Sequence, residues 1–136
     1  MSKLTFQRGS GIITLTSAEH KIVGVWRAHN NVARSSNGPW PVGTYPWSHY
    51  NPHAEAGLAP AGYHEAYGRT GIHVFTFQGR NGAIVREGLG VHAGRTFGGA
   101  FQLGGVTNGC IRVPTEAMQA INDTHRVDPI REITVE

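Results

Sequence analysis

Cys110 is the single cysteine of the chain, and the residue types around it are those a thiol nucleophile needs. The stretch Thr107-Asn108-Gly109-Cys110-Ile111-Arg112-Val113 follows Gly90-Val91-His92-Ala93-Gly94-Arg95 after a glycine-rich interval. A thiol attacks as its thiolate, and an unperturbed cysteine, with a pKa of about 8.5, is mostly protonated at neutral pH. A neighbouring imidazole corrects this by taking the proton and staying as a cation beside the sulfur. His92 is the candidate, because it ends one expected strand and Cys110 opens another after a loop long enough to return alongside. Gly109 permits close backbone approach, and the amides of Gly109 and Cys110 suit an oxyanion hole. If the segment is extended, Arg112 points to the same face as Cys110 and can hold a substrate carboxylate by a two-pronged hydrogen bond. No acid occurs between Glu87 and Glu116, whereas Arg95 and Arg112 do; that field favours a thiolate and an anionic substrate.

Each of these residues also has a plainer reading. A cysteine on its own is most often a small buried hydrophobe, and it is His92, Gly109 and Arg112 in register that favour the nucleophile. His73 competes with His92 as partner, but it sits inside an apolar strand, where a satisfied structural role fits better. Arg112 could serve as an ordinary ion-pair residue, and Thr107 and Asn108 fit turn chemistry as well as substrate contact. Eight histidines raise the question of a metal. His49 and His53 have the helical offset, yet Pro52 stands between them, so no metal and no cofactor is expected.

The elements that must position these groups read as mostly β. Residues 4–7, 12–16 and 21–27 form an opening meander rich in β-branched positions. Residues 30–39 are turn-rich. Pro41-Val42-Gly43 makes a tight turn into a strand at Thr44-Tyr45, which Pro46 confines to a sheet edge. Residues 48–69 show no period and carry Tyr50, Tyr63 and Tyr67, as expected of a functional loop or lid. Residues 71–77 are the strongest strand, paired through a turn at 78–82 with residues 83–86; residues 88–92 form a further short strand. Residues 96–105 read as a flexible glycine-rich loop. Pro114 suits the first position of a helix over 114–122, with Glu116 near its positive end. Ala117, Met118 and Ile121 share one face of it. Residues 130–135 close as a strand. The expectation is one domain over residues 1–136, a twisted β-sandwich or half-barrel with one short helix after the cysteine.

The order of these features resembles the L,D-transpeptidase catalytic domain family. That family carries a histidine, a loop, then Ser/Thr-His-Gly-Cys followed by an apolar residue and Arg or Asn. Here His92 precedes Thr107-Asn108-Gly109-Cys110-Ile111-Arg112, and Pro41-Val42-Gly43-Thr44-Tyr45 looks like the family's Pro-x-Gly-x-Tyr/Phe element. The family's histidine before Gly-Cys is Asn108 here. Asn108 can still donate a hydrogen bond. The resemblance implies that the His92 ring is oriented by the carbonyl of Ala93, and that the reaction is acyl transfer on peptidoglycan stem peptides through a Cys110 thioester. From the residues themselves, substrate contacts are expected of Arg112 and Arg95, with Asn108 and Thr107 shared between substrate contact and turn chemistry. The alternative is a catalytically silent wall-binding or virion domain with the same fold. A papain-type amidase places its cysteine before its histidine, the reverse of the order here.

Composition narrows the partners. Twelve basic residues face nine acidic ones, for a net charge of +3. They are scattered rather than striped, which argues against nucleic acid. No segment approaches a membrane span, and the first residues lack the apolar core of a secretory signal. The resemblance is to compact members that act in the periplasm or cell wall as secreted antibacterial effectors or phage products. Such a route implies a possible inhibitor, or immunity, protein.

Overall fold

A computed structural model describes residues 1–30, 40–53, 63–78, 84–94, 96–97, 100–101 and 110–136. β1 (Ser2–Gln7), β2 (Ile12–Thr16) and β3 (Ile22–Arg27) form the expected antiparallel meander. Alternation decides which side is buried: Leu4, Phe6, Ile13 and Leu15 enter the core while their neighbours face outward. The last strand, β10 (Ile130–Val135), lies parallel to β1 and antiparallel to β4 (Gly43–Asn51). From β4 the sheet continues through β5 (Ile72–Gln78) and β6 (Ile84–His92) to the short parallel strand β9 (Ile111–Arg112).

The complete order is β3-β2-β1-β10-β4-β5-β6-β9. Just past β3, His29 bridges antiparallel to Arg112, so the two ends of the sheet meet and it curls into a half-barrel. Two helices complete the described elements, α1 (Tyr63–Tyr67) and α2 (Thr115–Val127), together with a small ribbon of β7 (Thr96–Phe97) and β8 (Ala100–Phe101).

Several expectations change. Pro46 does not sit on an edge: β4 is central, pairing with β10 through Pro46 and with β5 from Trp47 onward. The strand changes neighbour at the proline, where a missing N–H costs no ladder bond. The two strands expected over 83–86 and 88–92 are, among the described residues, one strand, β6 (Ile84–His92), whose register with β5 shifts twice. Residues 48–69 are not one loop, since β4 runs to Asn51 and α1 follows within the segment. Part of 96–105 is a β-ribbon. The second helix is longer than expected, and Pro114 caps it in an extended conformation rather than starting it.

Burial, not capping, holds α2. Its N-cap makes no side-chain hydrogen bond, whereas Met118 and Ile121 are fully buried. Each contributes about 1.5–3 kcal/mol, more than the roughly 1 kcal/mol of a good cap. These two residues join Phe75, Leu89, Val91 and Ile111 in one core with Trp40. Trp40 meets Tyr45 edge-on at 5.5 Å and Phe75 at 5.8 Å.

Close packing around β6 relies on Gly94, which has φ +111°. A β-carbon there would fall on the Ala66 carbonyl. We expect Gly94→Ala to lower unfolding free energy by about 1–3 kcal/mol in urea denaturation. A neutral or stabilising result would show that α1 is not seated on this turn.

Candidate active site

Two adjacent parallel strands build the site. In β6 and β9, Val91 pairs with Ile111 and His92 with Arg112. Side chains alternate along each strand, so Val91 and Ile111 enter the core while His92 and Arg112 share the other face. Cys110, immediately before β9, falls on the face of Arg112 by the same alternation, diagonal to His92. The antiparallel bridge from His29 to Arg112 sets a third residue in line. The register thus brings Cys110, His92 and Arg112 to one face. Thr107, Asn108, Gly109 and Arg95 lie outside the described residues.

His92 is 1% exposed. Its Nδ1 lies 2.6 Å from the Ala93 carbonyl oxygen. A carbonyl only accepts, so Nδ1 carries the proton and donates, which leaves the Nε2 lone pair as the basic site. This orientation needs no particular side chain at position 93. Burial pulls the His92 pKa from 6.5 down to about 4; the Ala93 carbonyl opposes the shift, and the positive Arg112 and nearby His29 add to it. At pH 7 the ring is a neutral base. The expected standing imidazolium is therefore replaced by a ring that becomes cationic only on receiving a proton.

Other groups fix the cysteine and cover the histidine. Asn30 Nδ2 donates to the Cys110 carbonyl at 2.9 Å, and Asn30 Oδ1 accepts from the Trp40 amide at 2.5 Å. The thiol-bearing residue is half-buried. Over His92 lies α1: the Tyr67 ring is 4.8 Å from the imidazole at 60°. Arg112, 3% exposed, directs Nη2 toward the Ala66 carbonyl at 3.4 Å. Its guanidinium faces α1 and His92, so its first effect is a fixed positive field inside the site.

Sequence reasoning missed Asn30 and His29. Both reach the site only because the end of β3 returns to β9, a closure that no local pattern encodes. Tyr67 falls in the stretch that the sequence offers as a functional loop or lid. His73, the competing histidine, pairs with Val91 and so lies on the opposite face from His92, bonded within the core.

The fold is that of the L,D-transpeptidases, a β-dominated half-barrel with the helix after the cysteine. Over 99% of this chain it matches Bd1075 of Bdellovibrio bacteriovorus with TM-score 0.68, 12% identity and 47% of that chain. It matches an L,D-transpeptidase from Mycobacterium smegmatis with TM-score 0.57, 17% identity and 58% of that chain, again over 99% of this one. The helical cell shape determining protein Pgp2 from Campylobacter jejuni gives TM-score 0.68 at 14% identity, over 99% of this chain and 47% of that one. The chain spans about half the length of these structures. No protein-family model matches it, and no curated protein sequence does. Among the described residues, no helix is long and apolar enough to cross a membrane.

The two buried histidines make stability acid-sensitive. His73 is likewise pulled from 6.5 to about 4, chiefly by burial. Folding keeps both rings neutral, so below pH 6.5 the unfolded chain binds the extra protons and stability falls. The loss continues until the folded rings titrate near pH 4. We expect a decline on the order of 3 kcal/mol per ring across this window, measured as urea midpoints against pH. A flat profile between these limits would contradict the neutral assignment of both histidines.

Proposed function

We propose that this protein is a cysteine acyl transferase or hydrolase acting on bacterial peptidoglycan stem peptides, as an L,D-transpeptidase, an L,D-carboxypeptidase or both. The observation that carries the reading is His92 itself, neutral, buried and held by Ala93 with Nε2 as its basic atom, on the strand face shared with Cys110. The structural likeness to L,D-transpeptidases supports the substrate class.

In this mechanism the Cys110 thiol gives its proton to His92 Nε2 as sulfur attacks the carbonyl of a meso-diaminopimelate residue. The tetrahedral oxyanion is held by backbone amides at Gly109 and Cys110, under the positive field of Arg112. Collapse breaks the bond to the terminal D-alanine, whose amine takes the proton from His92, and a thioester remains. An amine or water then attacks the thioester, gives its proton to His92, and the thiol is restored as the cross-link or free acid departs. Arg95, Asn108 and Thr107 complete the substrate contacts. Arg112, turned toward α1, contributes charge more than a direct carboxylate clasp.

The site of action is the periplasm or cell wall, reached as a secreted effector or a phage product, with a stem peptide as partner. An inhibitor protein that covers the cleft would protect a producing cell. No metal or cofactor enters the mechanism.

Incubation with tetrapeptide muropeptides and mass analysis of products tests the reading. We expect D-alanine release by the wild type and none by Cys110→Ala. His92→Asn should lower the rate about 10²–10⁴-fold. Equal activity in wild type and Cys110→Ala would reject the mechanism. The acid limb of the rate should fall near pH 4, where His92 titrates; activity that is lost already near 6.5 would place the working base elsewhere.

A further inference from the structure

The β5–β6 ladder carries a histidine on each face. His92 faces the site, whereas His73, paired with Val91, faces the core and α2. Both nitrogens of the His73 ring are engaged. Trp47 Nε1 can only donate, and it lies 3.1 Å from His73 Nδ1. That fixes Nδ1 as acceptor and puts the proton on Nε2, which donates to Asn122 Oδ1 at 2.8 Å. With its oxygen held there, the Asn122 amide presents Nδ2 to the Thr70 carbonyl at 2.9 Å. The same carbonyl accepts the Tyr50 hydroxyl at 2.9 Å.

Thr70 belongs to the turn that leaves α1. This turn is glycine-bounded, with φ +78° at Gly68 and +77° at Gly71. A β-carbon on Gly68 would lie 3.0 Å from the Ala93 β-carbon, so the turn sits directly on the residue that holds His92. The helix it anchors puts Tyr67 over the His92 ring and the Ala66 carbonyl toward Arg112.

We infer that Trp47, His73 and Asn122 form a positioning relay that seats α1 over His92 from the opposite face of the sheet. The inference rests on His92 being the base of the proposed reaction. An amide side chain has two orientations that exchange oxygen and nitrogen, and only one gives Thr70 a donor. Trp47 selects the His73 tautomer, and the tautomer selects the amide orientation. Asn122 then holds the turn. None of the three is a catalytic residue.

The groups around each ring are mixed. Tyr50 and Trp47 of β4 approach His73, as does His125 of α2 with ring centroids 5.0 Å apart. Around His92 stand Tyr67 of α1, Arg112 of β9, His29 and, across the strands, Cys110. A loosened α1 would admit water to His92 and move its titration up from about 4 toward 6.5.

The test is the titration of the His92 ring by site-resolved NMR in the intact, substrate-free protein. His73→Gln keeps an amide nitrogen where Nε2 stands, so it preserves the donor to Asn122, and we expect its His92 midpoint to stay near that of the wild type. His73→Phe loses the donor, and its His92 midpoint should rise toward 6.5. Tyr50→Phe removes one of the two donors to Thr70 and should give an intermediate rise without disturbing the fold. An unchanged midpoint in His73→Phe overturns the relay. If that variant does not fold, an unchanged midpoint in Asn122→Ala, which removes the donor to the Thr70 carbonyl, does so. Equal shifts in the Gln and Phe variants also overturn it, because shape alone would then matter at position 73. The measurement needs no turnover: an inactive wild type would defeat the proposed function while leaving the relay to stand or fall on the His92 midpoint.

Discussion

The hydrogen bond from His92 Nδ1 to the carbonyl of its own neighbour, Ala93, is the constraint on which the site depends. It settles which nitrogen is basic, and it does so with backbone alone. The price is burial of a ring that would otherwise be half charged near pH 6.5. Tyr67, Arg112 and the turn at Gly94 impose that burial on His92. Each neighbour restricts water, and Arg112 also opposes protonation. A base kept neutral in this way accepts a proton without first having to lose one.

The sheet separates two tasks across its faces. On one face of β5, β6 and β9, Phe75, Leu89, Val91 and Ile111 join the core with α2. On the other, His92 and Arg112 stand in register beside the cysteine. One strand pair therefore carries core packing on one face and the candidate site on the other, joined by a shared backbone. The closure at His29 supplies a further strand segment, and Asn30 uses it to reach the Cys110 carbonyl.

Much of this was legible in the residues. The meander and the last strand were readable because apolar and β-branched positions alternate cleanly over short runs. The order His92, Gly109, Cys110, Arg112 pointed to a candidate site because each type has a chemical reason to be near a thiol. The parallel pairing of β1 with β10 was not readable, since register between distant segments leaves no local mark. Nor were the roles of Asn30 and His29, which depend on the curl of the whole sheet. Pro46 misled for a different reason: the rule that proline marks an edge assumes one neighbour along the whole strand. The short helix at Tyr63–Tyr67 is too brief for a periodic signal and is set by its contacts with Ala93 and Gly94.

The exchange of neighbours within β4 has an architectural consequence. At Pro46 the strand's pairing with β10 ends, and at Trp47 its pairing with β5 begins. The half-barrel is therefore two ribbons sewn along one thread, with the stitching crossing over at Pro46. The ribbon that holds β1 and β10 and the ribbon that leads to Cys110 thus share β4 as one continuous backbone, each pairing with a different half of it.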